Sequence, residues 1–132
     1  MKNMDMEEMI LKGMKSNVSD FFSKLIEFKT NIELSALYQK EGRLSTYEAL
    51  KACSESINPV IIDLIEGYQG VYIIVRIHEI SVGTINPIDY LTKIYEMLKE
   101  AKGFFVDSWI HKEIDNLSKI IAITLFKLKY AK

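Results

Sequence analysis

The chain has 132 residues, 48% hydrophobic and 27% charged, which suits one domain with its own core and excludes a wholly disordered chain. Its 17 basic and 18 acidic side chains leave a formal net charge of -1, and only Arg43 and Arg76 are arginines. Attraction to phosphate and bidentate recognition of bases are therefore both weak. We expect a single domain over 1–132, with nucleic acid as a disfavoured partner.

Cysteine content and the N-terminal residues bear on the compartment. Cys53 is the only cysteine, so one chain forms neither an internal disulfide nor a thiolate metal cluster. Asp5, Glu7 and Glu8 lie where an export signal needs an uninterrupted apolar stretch, and no apolar stretch is long enough for a membrane span. We expect a cytoplasmic protein without membrane association. The 19 isoleucines and 15 lysines favour a thermophilic, viral or mobile-element origin.

Apolar residues in the first third of the chain recur at alternating spacings of three and four, the a/d pattern of a helix that packs against another helix. The pattern predicts one long amphipathic helix over about 3–41, in which Gly13 and a capping box of Thr30 and Glu33 are two places where a break could occur. The residues of this heptad stripe are Leu11, Met14, Val18, Phe21, Leu25, Phe28 and Ile32.

A turn around Gly42 separates this helix from the next predicted element. Ser45 and Glu48 match a second capping box, in which each side chain satisfies the backbone amide of the other residue. This pattern predicts a short helix over 46–55.

The dipeptide Asn-Pro occurs twice, as Asn58-Pro59 and Asn86-Pro87, each time after an isoleucine. Asparagine is a good N-cap, and proline fits the first helical position, where its missing amide proton costs nothing. Neither proline nor isoleucine has catalytic chemistry, and a repeat array would need at least three copies. Both dipeptides therefore predict helix starts, not a duplicated active site.

The segment after Pro59 is rich in β-branched residues over 71–82 and suits either a strand or a helix. Drawn as a helix it has two apolar stripes, whereas a strand would need a partner and no second strand pattern lies nearby. We therefore expect one continuous helix from Val60 to Val82, buried on two sides inside the bundle or between copies.

Two more helices are expected, over 87–102 and from Asp107 or Ser108 to about 130, the first ended by Gly103 in a left-handed conformation. The result is an all-α bundle of four main helices and one short helix, in which brief turns place sequential helices antiparallel. One small bundle does not hide all this apolar surface, so we expect self-association. The predicted interface residues are Ile62, Tyr68, Tyr72, Ile73, Arg76, Ile80 and Trp109.

Two small groups of polar residues are the best candidates for chemistry. Arg76, His78 and Glu79 diverge on a helix, so a site would need partners such as His111 and Glu113 from elsewhere. Neither histidine follows a glutamate by three residues, as carboxylate-bridged metal centres require, and the common phosphate, zinc and nucleophile motifs are absent from the sequence. We expect structural roles here, with no catalytic residue, metal or cofactor.

The leading functional hypothesis is a non-enzymatic protein-protein interaction or assembly protein, a small accessory subunit that binds another protein or a copy of itself. The alternative is a DNA-binding regulator that uses residues 44–66 as a helix-turn-helix. Asp63 and Glu66 weaken that alternative, because they would point like charge at phosphate. An enzyme would require the polar residues above to line one cleft.

Overall fold

The computed structural model describes residues 6–39 and 43–130, with side chains from Asn17 onward. These residues form helices without any strand, which confirms the predicted all-α fold. The elements are α1 (Met6–Tyr38), α2 (Leu44–Val71), α3 (Pro87–Ala101), a 3-10 turn (Lys102–Phe104) and α4 (Ser108–Tyr130).

The four helices form a bundle in which α1 packs against α2 and α3, and α4 packs against the same two helices from the other side. The heptad stripe of α1 supplies one wall of the core, and Leu11 and Met14 of that stripe lie outside the described side chains. Every described member of the stripe is buried, as the spacing predicts: Val18, Phe21, Leu25, Phe28 and Ile32.

Neither of the two breaks that the sequence allows in α1 occurs. The helix runs through Gly13, and Thr30 does not cap a new helix, because its hydroxyl donates to the carbonyl of Ile26 at 2.9 Å within α1. At the start of α2, the N-cap is Arg43 instead of the predicted Ser45.

The first Asn-Pro dipeptide lies inside a helix, so the predicted start there is wrong. α2 passes through Pro59 without a turn, and the short helix expected over 46–55 is its first part. Pro59 is exposed, whereas Ile57 and Ile61 on the other side of α2 are fully buried. The carbonyl left without an amide partner therefore faces water, and packing of the flanking turns keeps both halves of the helix in line.

The second dipeptide starts a helix as predicted. The Oδ1 atom of Asn86 accepts a hydrogen bond from the amide of Asp89 at 3.1 Å, and Pro87 is the first residue of α3. At the other end of α3, the predicted left-handed Gly103 is wrong, because no glycine in the described residues has a positive φ. A 3-10 turn ends the helix instead, and the amide of Phe105 donates to the carbonyl of Lys102.

Residues 72–86, here called the strap, are neither helix nor strand. The predicted helix from Val60 to Val82 is therefore wrong beyond Val71. The side chains of Ser19 and Asn31 bind strap residues Arg76 and Ser81. Ser19 and Asn31 are twelve residues apart, which is about 18 Å along α1. The five or six strap residues that cover this distance must therefore be nearly fully extended.

The strap changes the order of helix directions. α2 brings Tyr68 beside Phe22, with ring centroids 5.1 Å apart, so α1 and α2 are antiparallel. The strap then runs along α1 in the same direction as α1. At its end α3 starts beside Phe28, whose ring centroid lies 6.3 Å from that of Tyr90 in α3. The chain after α3 reaches Phe21 at the other end, where the ring centroid of Phe105 lies 5.6 Å from that of Phe21. α2 and α3 therefore run in the same direction, and the expectation that all sequential helices are antiparallel fails for this pair.

We predict that Pro59→Ala raises the free energy of unfolding by about 1–2 kcal/mol, measured by urea denaturation. Alanine restores the missing amide in α2, and proline inside a helix costs about 3 kcal/mol against alanine, partly offset by its stiffening of the unfolded chain. Pro87→Ala is the matched control, because Pro87 is already well placed at the first position of α3. An equal change from both substitutions would contradict a continuous α2.

Candidate functional site

A row of polar side chains on α1, here called the ladder, lies on the side of the helix away from the core. Residues two positions apart point about 200° from each other on a helix, so Glu27 faces away from fully buried Leu25. Glu27 is nevertheless only 9% exposed, because the strap covers this side of α1. The members of the ladder recur every fourth residue: Ser19, Ser23, Glu27 and Asn31.

The first two rungs bind the first half of the strap. The hydroxyl of Ser19 donates to the carbonyl oxygen of Arg76. The hydroxyl oxygen of Ser23, which is fully buried, accepts a hydrogen bond from the amide of His78 at 3.0 Å. Both contacts involve the strap backbone, so they hold the path of the chain independently of the strap side chains.

Glu27 forms the third rung. Its Oε1 atom accepts a hydrogen bond from the amide of Ser81 at 2.6 Å, and its Oε2 atom lies 3.3 Å from the Nζ atom of Lys24. A buried carboxylate is stable only when it is paired and hydrogen-bonded, and these two contacts provide both.

Asn31 is the fourth rung and makes the largest number of contacts. Its Nδ2 atom donates to the carbonyl of Ser81 at 3.1 Å and to the hydroxyl of Tyr90 at 3.2 Å, while its Oδ1 atom accepts from the amide of Gly83 at 3.1 Å. One buried side chain therefore joins the strap, α1 and α3. Burial raises the pKa of Tyr90, an effect that the Asn31 hydrogen bond opposes and the nearby Glu27 carboxylate increases.

Apolar contacts hold the two ends of the strap. Val75 and Ile85 pack against the buried core, and the amide of Val75 also donates to Oε1 of Gln69 in α2 at 3.0 Å. Ile80 is half-buried. The inner side of the strap is therefore fastened along its whole length by hydrogen bonds and by packing.

His78 adds a contact between strap and α1 at the surface. Its Nε2 atom lies 2.9 Å from a carboxylate oxygen of Asp20, and its Nδ1 atom lies 2.9 Å from the carbonyl oxygen of Glu79. Since His78 and Asp20 are well exposed, this contact contributes little stability.

Several apolar side chains of the strap are exposed to solvent. Ile74 is the most exposed of them, with 76% of its surface accessible. We call this group the strap surface, and its members are Tyr72, Ile73, Ile74, Ile77 and Val82.

Three of the predicted interface residues, Tyr68, Tyr72 and Arg76, do not share one helical face. Tyr68 and Tyr72 stack with ring centroids 4.8 Å apart, but Arg76 lies beyond the end of α2 and so cannot continue a helical face. The Tyr72 hydroxyl donates to both carboxylate oxygens of Asp107, at 2.7 and 2.8 Å, and this hydrogen bond is the main cause of a raised pKa at Tyr72. Tyr68 is buried, so it lies in the core, not at an interface, and burial raises its pKa.

The remaining predicted interface residues have different surroundings. Ile62 is exposed on the outer side of α2. Trp109 is half-buried against α2, where a Cβ atom at Gly67 would come within 3.1 Å of the indole ring. Trp109 therefore belongs to the contact between α2 and α4.

The predicted polar candidates have separate partners. His111 lies with Nε2 at 2.9 Å from the carbonyl of Lys102 and 2.8 Å from that of Phe105, so it joins the end of α3 to α4. Those partners are distinct from the partners of His78 on α1. Glu79 is exposed on the strap, and Glu113 is half-buried on α4.

Cys53 is free and buried in α2, and burial raises the pKa of its thiol, as expected for a structural cysteine. Across residues 6–39 and 43–130, no group of three or more His, Cys, Asp or Glu side chains is arranged to hold a metal ion. Within the same residues, no helix has both the length and the apolar character to cross a membrane.

The sequence interpretation missed the ladder. Its signal is the four-residue spacing of polar side chains in α1, on the side opposite the heptad stripe. This polar row on α1, taken together with a β-branched segment that suits a strand as well as a helix, would have indicated an extended chain lying on α1.

Comparison of the chain with known protein families, with characterised proteins and with solved structures finds no match.

We predict that Asn31→Ala lowers the free energy of unfolding by about 1–3 kcal/mol, because three hydrogen bonds are lost at a buried position. Hydrogen exchange at the Gly83 amide, measured by NMR, should accelerate more than exchange in the core of α4. Glu33→Ala, on an exposed side of α1, is the control and should change stability by less than about 0.5 kcal/mol. Unchanged exchange at Gly83 in Asn31→Ala would contradict the ladder contact.

We also predict a loss of stability above about pH 10, the ordinary pKa of tyrosine. The pKa values of Tyr68, Tyr72 and Tyr90 are raised in the folded protein. The folded state therefore holds the hydroxyl protons of these tyrosines more tightly than the unfolded state does. Their contribution is complete below the unfolded-state pKa and is lost as the pH rises through the folded-state values. Melting temperatures between pH 8 and 11.5 would show the fall.

The tyrosine absorbance at 295 nm tests the cause at Tyr72. Asp107→Asn removes the carboxylate that accepts the Tyr72 hydrogen bond, so part of the phenolate absorbance should appear at lower pH. Identical titration curves for Asp107→Asn and the wild type would show that Asp107 does not control Tyr72.

Proposed function

We propose that this chain is a non-enzymatic protein-protein interaction or assembly protein, a small accessory subunit that binds its partner through the strap surface. The observation that supports this proposal is the exposure of five apolar side chains on a segment whose backbone is fastened from behind. Contiguous exposed apolar surface in a folded domain is typical of protein-binding sites.

The ladder makes this surface suitable for specific binding. A free segment of this length would lose conformational freedom when it bound, and that loss would weaken the complex. Here the contacts from Ser23, Glu27 and Asn31 already order the backbone in the unbound protein. The apolar side chains are therefore presented in a set arrangement before any partner arrives.

Charged side chains border the apolar ones on the strap. Arg76, His78 and Glu79 are all exposed and carry both signs of charge. Polar rims of this kind select partners and set their orientation, while the apolar centre supplies most of the affinity. An apolar protein surface with complementary charges around it is the expected partner.

The DNA-binding alternative loses the structural element on which it depended. Residues 44–66 lie in one uninterrupted helix, so a helix-turn-helix is not present there. We therefore propose protein binding instead of DNA binding.

Site-specific photocrosslinking tests the proposal. A photoreactive benzophenone amino acid at position 74 should give a discrete crosslinked protein in an extract of the source organism. Excess unlabelled wild-type protein should compete for this crosslink, whereas an Ile73→Asp, Ile77→Asp variant should not, because two carboxylates disrupt the apolar surface. The variant's circular dichroism and melting temperature report whether it folds.

The same photoreactive group at position 44 is the matched control, since Leu44 is also exposed and apolar but lies at the start of α2. A crosslink of equal strength from both positions would indicate nonspecific contact and contradict the proposal. Salt-dependent retardation of duplex DNA without any specific crosslink at position 74 would favour the DNA-binding alternative.

A further inference from the structure

Two surfaces outside the strap carry opposite charges. From residue 52 to the end of α2, the chain contains Glu55, Asp63 and Glu66 but no lysine or arginine. From residue 116 to the end of α4, it contains only lysines among its charged residues: Lys119, Lys127 and Lys129. Charge is thus segregated between the last part of α2 and the last part of α4, in a chain whose net charge is only -1.

On α2, three acidic residues surround two exposed apolar residues. The five side chains lie on one side of the helix, away from the buried side that holds Ile57 and Ile61, and they line a shallow, open depression. We call them the acidic face: Glu55, Pro59, Ile62, Asp63 and Glu66.

On α4, exposed lysines and apolar residues occur together in the same way. Phe126 and Tyr130 are 65% and 71% exposed, with ring centroids 4.9 Å apart, and Ile123 is exposed one turn earlier. We call this group the basic face: Lys119, Ile123, Phe126, Lys127 and Tyr130.

The two faces match in spacing as well as in charge. Each face begins with a charged residue and has apolar residues four and seven positions after it. A second residue of the same charge follows eight positions after the first. The charges of each pair are therefore about 12 Å apart along the helix. Whether the two helices cross parallel or antiparallel, both lysines of one face can reach both carboxylates of the other.

The charged side chains of the two faces are available for contacts with another molecule. None of the acidic-face or basic-face side chains forms an ion pair inside the described part of the chain, where the ion pairs involve other residues. α2 and α4 are antiparallel neighbours, because Gly67 meets Trp109 near one end and Ser45 lies near Tyr130 at the other. Glu66 and Lys127 consequently lie toward opposite ends of the bundle.

We infer that the acidic face of one copy of this chain docks on the basic face of a second copy. Burial of Ile62 against Phe126 and Ile123 would supply affinity, and the two charge pairs would fix the alignment. The two faces differ, so the contact is heterologous, and each added copy leaves one free face of each kind. Assembly therefore continues head to tail into a ring or a linear chain, without using the strap surface.

The test uses two variants, and each variant has one face disabled. The substitutions replace exposed residues with neutral polar residues of similar or smaller size. The acidic-face variant is Glu55→Gln, Ile62→Ser, Asp63→Asn, and the basic-face variant is Lys119→Gln, Phe126→Ser, Lys127→Gln. Sedimentation velocity should show wild-type assemblies above the 15.3 kDa chain mass that grow with concentration and shrink with added salt. Each variant alone should sediment as a monomer.

Mixing the two variants in equal amounts is the decisive measurement. Each retains one intact face, so the mixture should form a 1:1 dimer and nothing larger. A mixture that stays monomeric, or a single variant that still assembles, would overturn the inference, as would a wild type that is monomeric at every concentration. Circular dichroism and thermal melting verify that both variants fold.

An Ile74→Asp variant separates this contact from the strap. It should assemble like the wild type, because Ile74 belongs to neither face. If Ile74→Asp is monomeric while both face variants still assemble, the copies join through the strap instead, and the head-to-tail contact is wrong. Failure of the photocrosslinking at position 74 would leave the head-to-tail result unaffected.

Discussion

The hydrogen bonds between the ladder of α1 and the backbone of the strap are the interaction on which the rest of the structure depends. A non-helical segment packed on a helix needs partners for its amides and carbonyls, and the described residues contain no strand to supply them. Side chains of α1 do so instead. The strap can therefore cross the length of the bundle, which places α3 parallel to α2 and covers α1 on the side away from the core.

This arrangement reverses the usual distribution of polarity in a surface segment. The strap turns its hydrogen-bonding groups toward buried Ser23, Glu27 and Asn31, and several of its isoleucines toward solvent. The same contacts that stabilise the fold thus also create an ordered apolar surface. The faces on α2 and α4 arise differently, from residues that a helix must place on its outer side once the opposite side is buried. Two kinds of exposed apolar surface therefore coexist on one small bundle, and we propose that both bind other proteins.

The two Asn-Pro dipeptides show where local sequence ceases to decide structure. At Asn86, the preceding residues belong to the extended strap, so the local preference for a helix start is realised. At Asn58, buried residues on both sides of the dipeptide pack against the same neighbouring helices, and this packing outweighs the preference. The Asn58 side-chain oxygen is left buried without a hydrogen-bond partner, as expected for a capping residue enclosed in a helix.

The sequence by itself determined the all-α class, the heptad stripe of α1, the start of α3 and the charges of the outer faces of α2 and α4. These follow from periodicity and capping chemistry, which act within a few turns of one helix. Only the tertiary structure decided that residues 72–86 are extended, because the choice depends on partners about 50 residues away. A β-branched segment suits either conformation locally, and the buried polar row of α1 selects the extended one by binding its backbone.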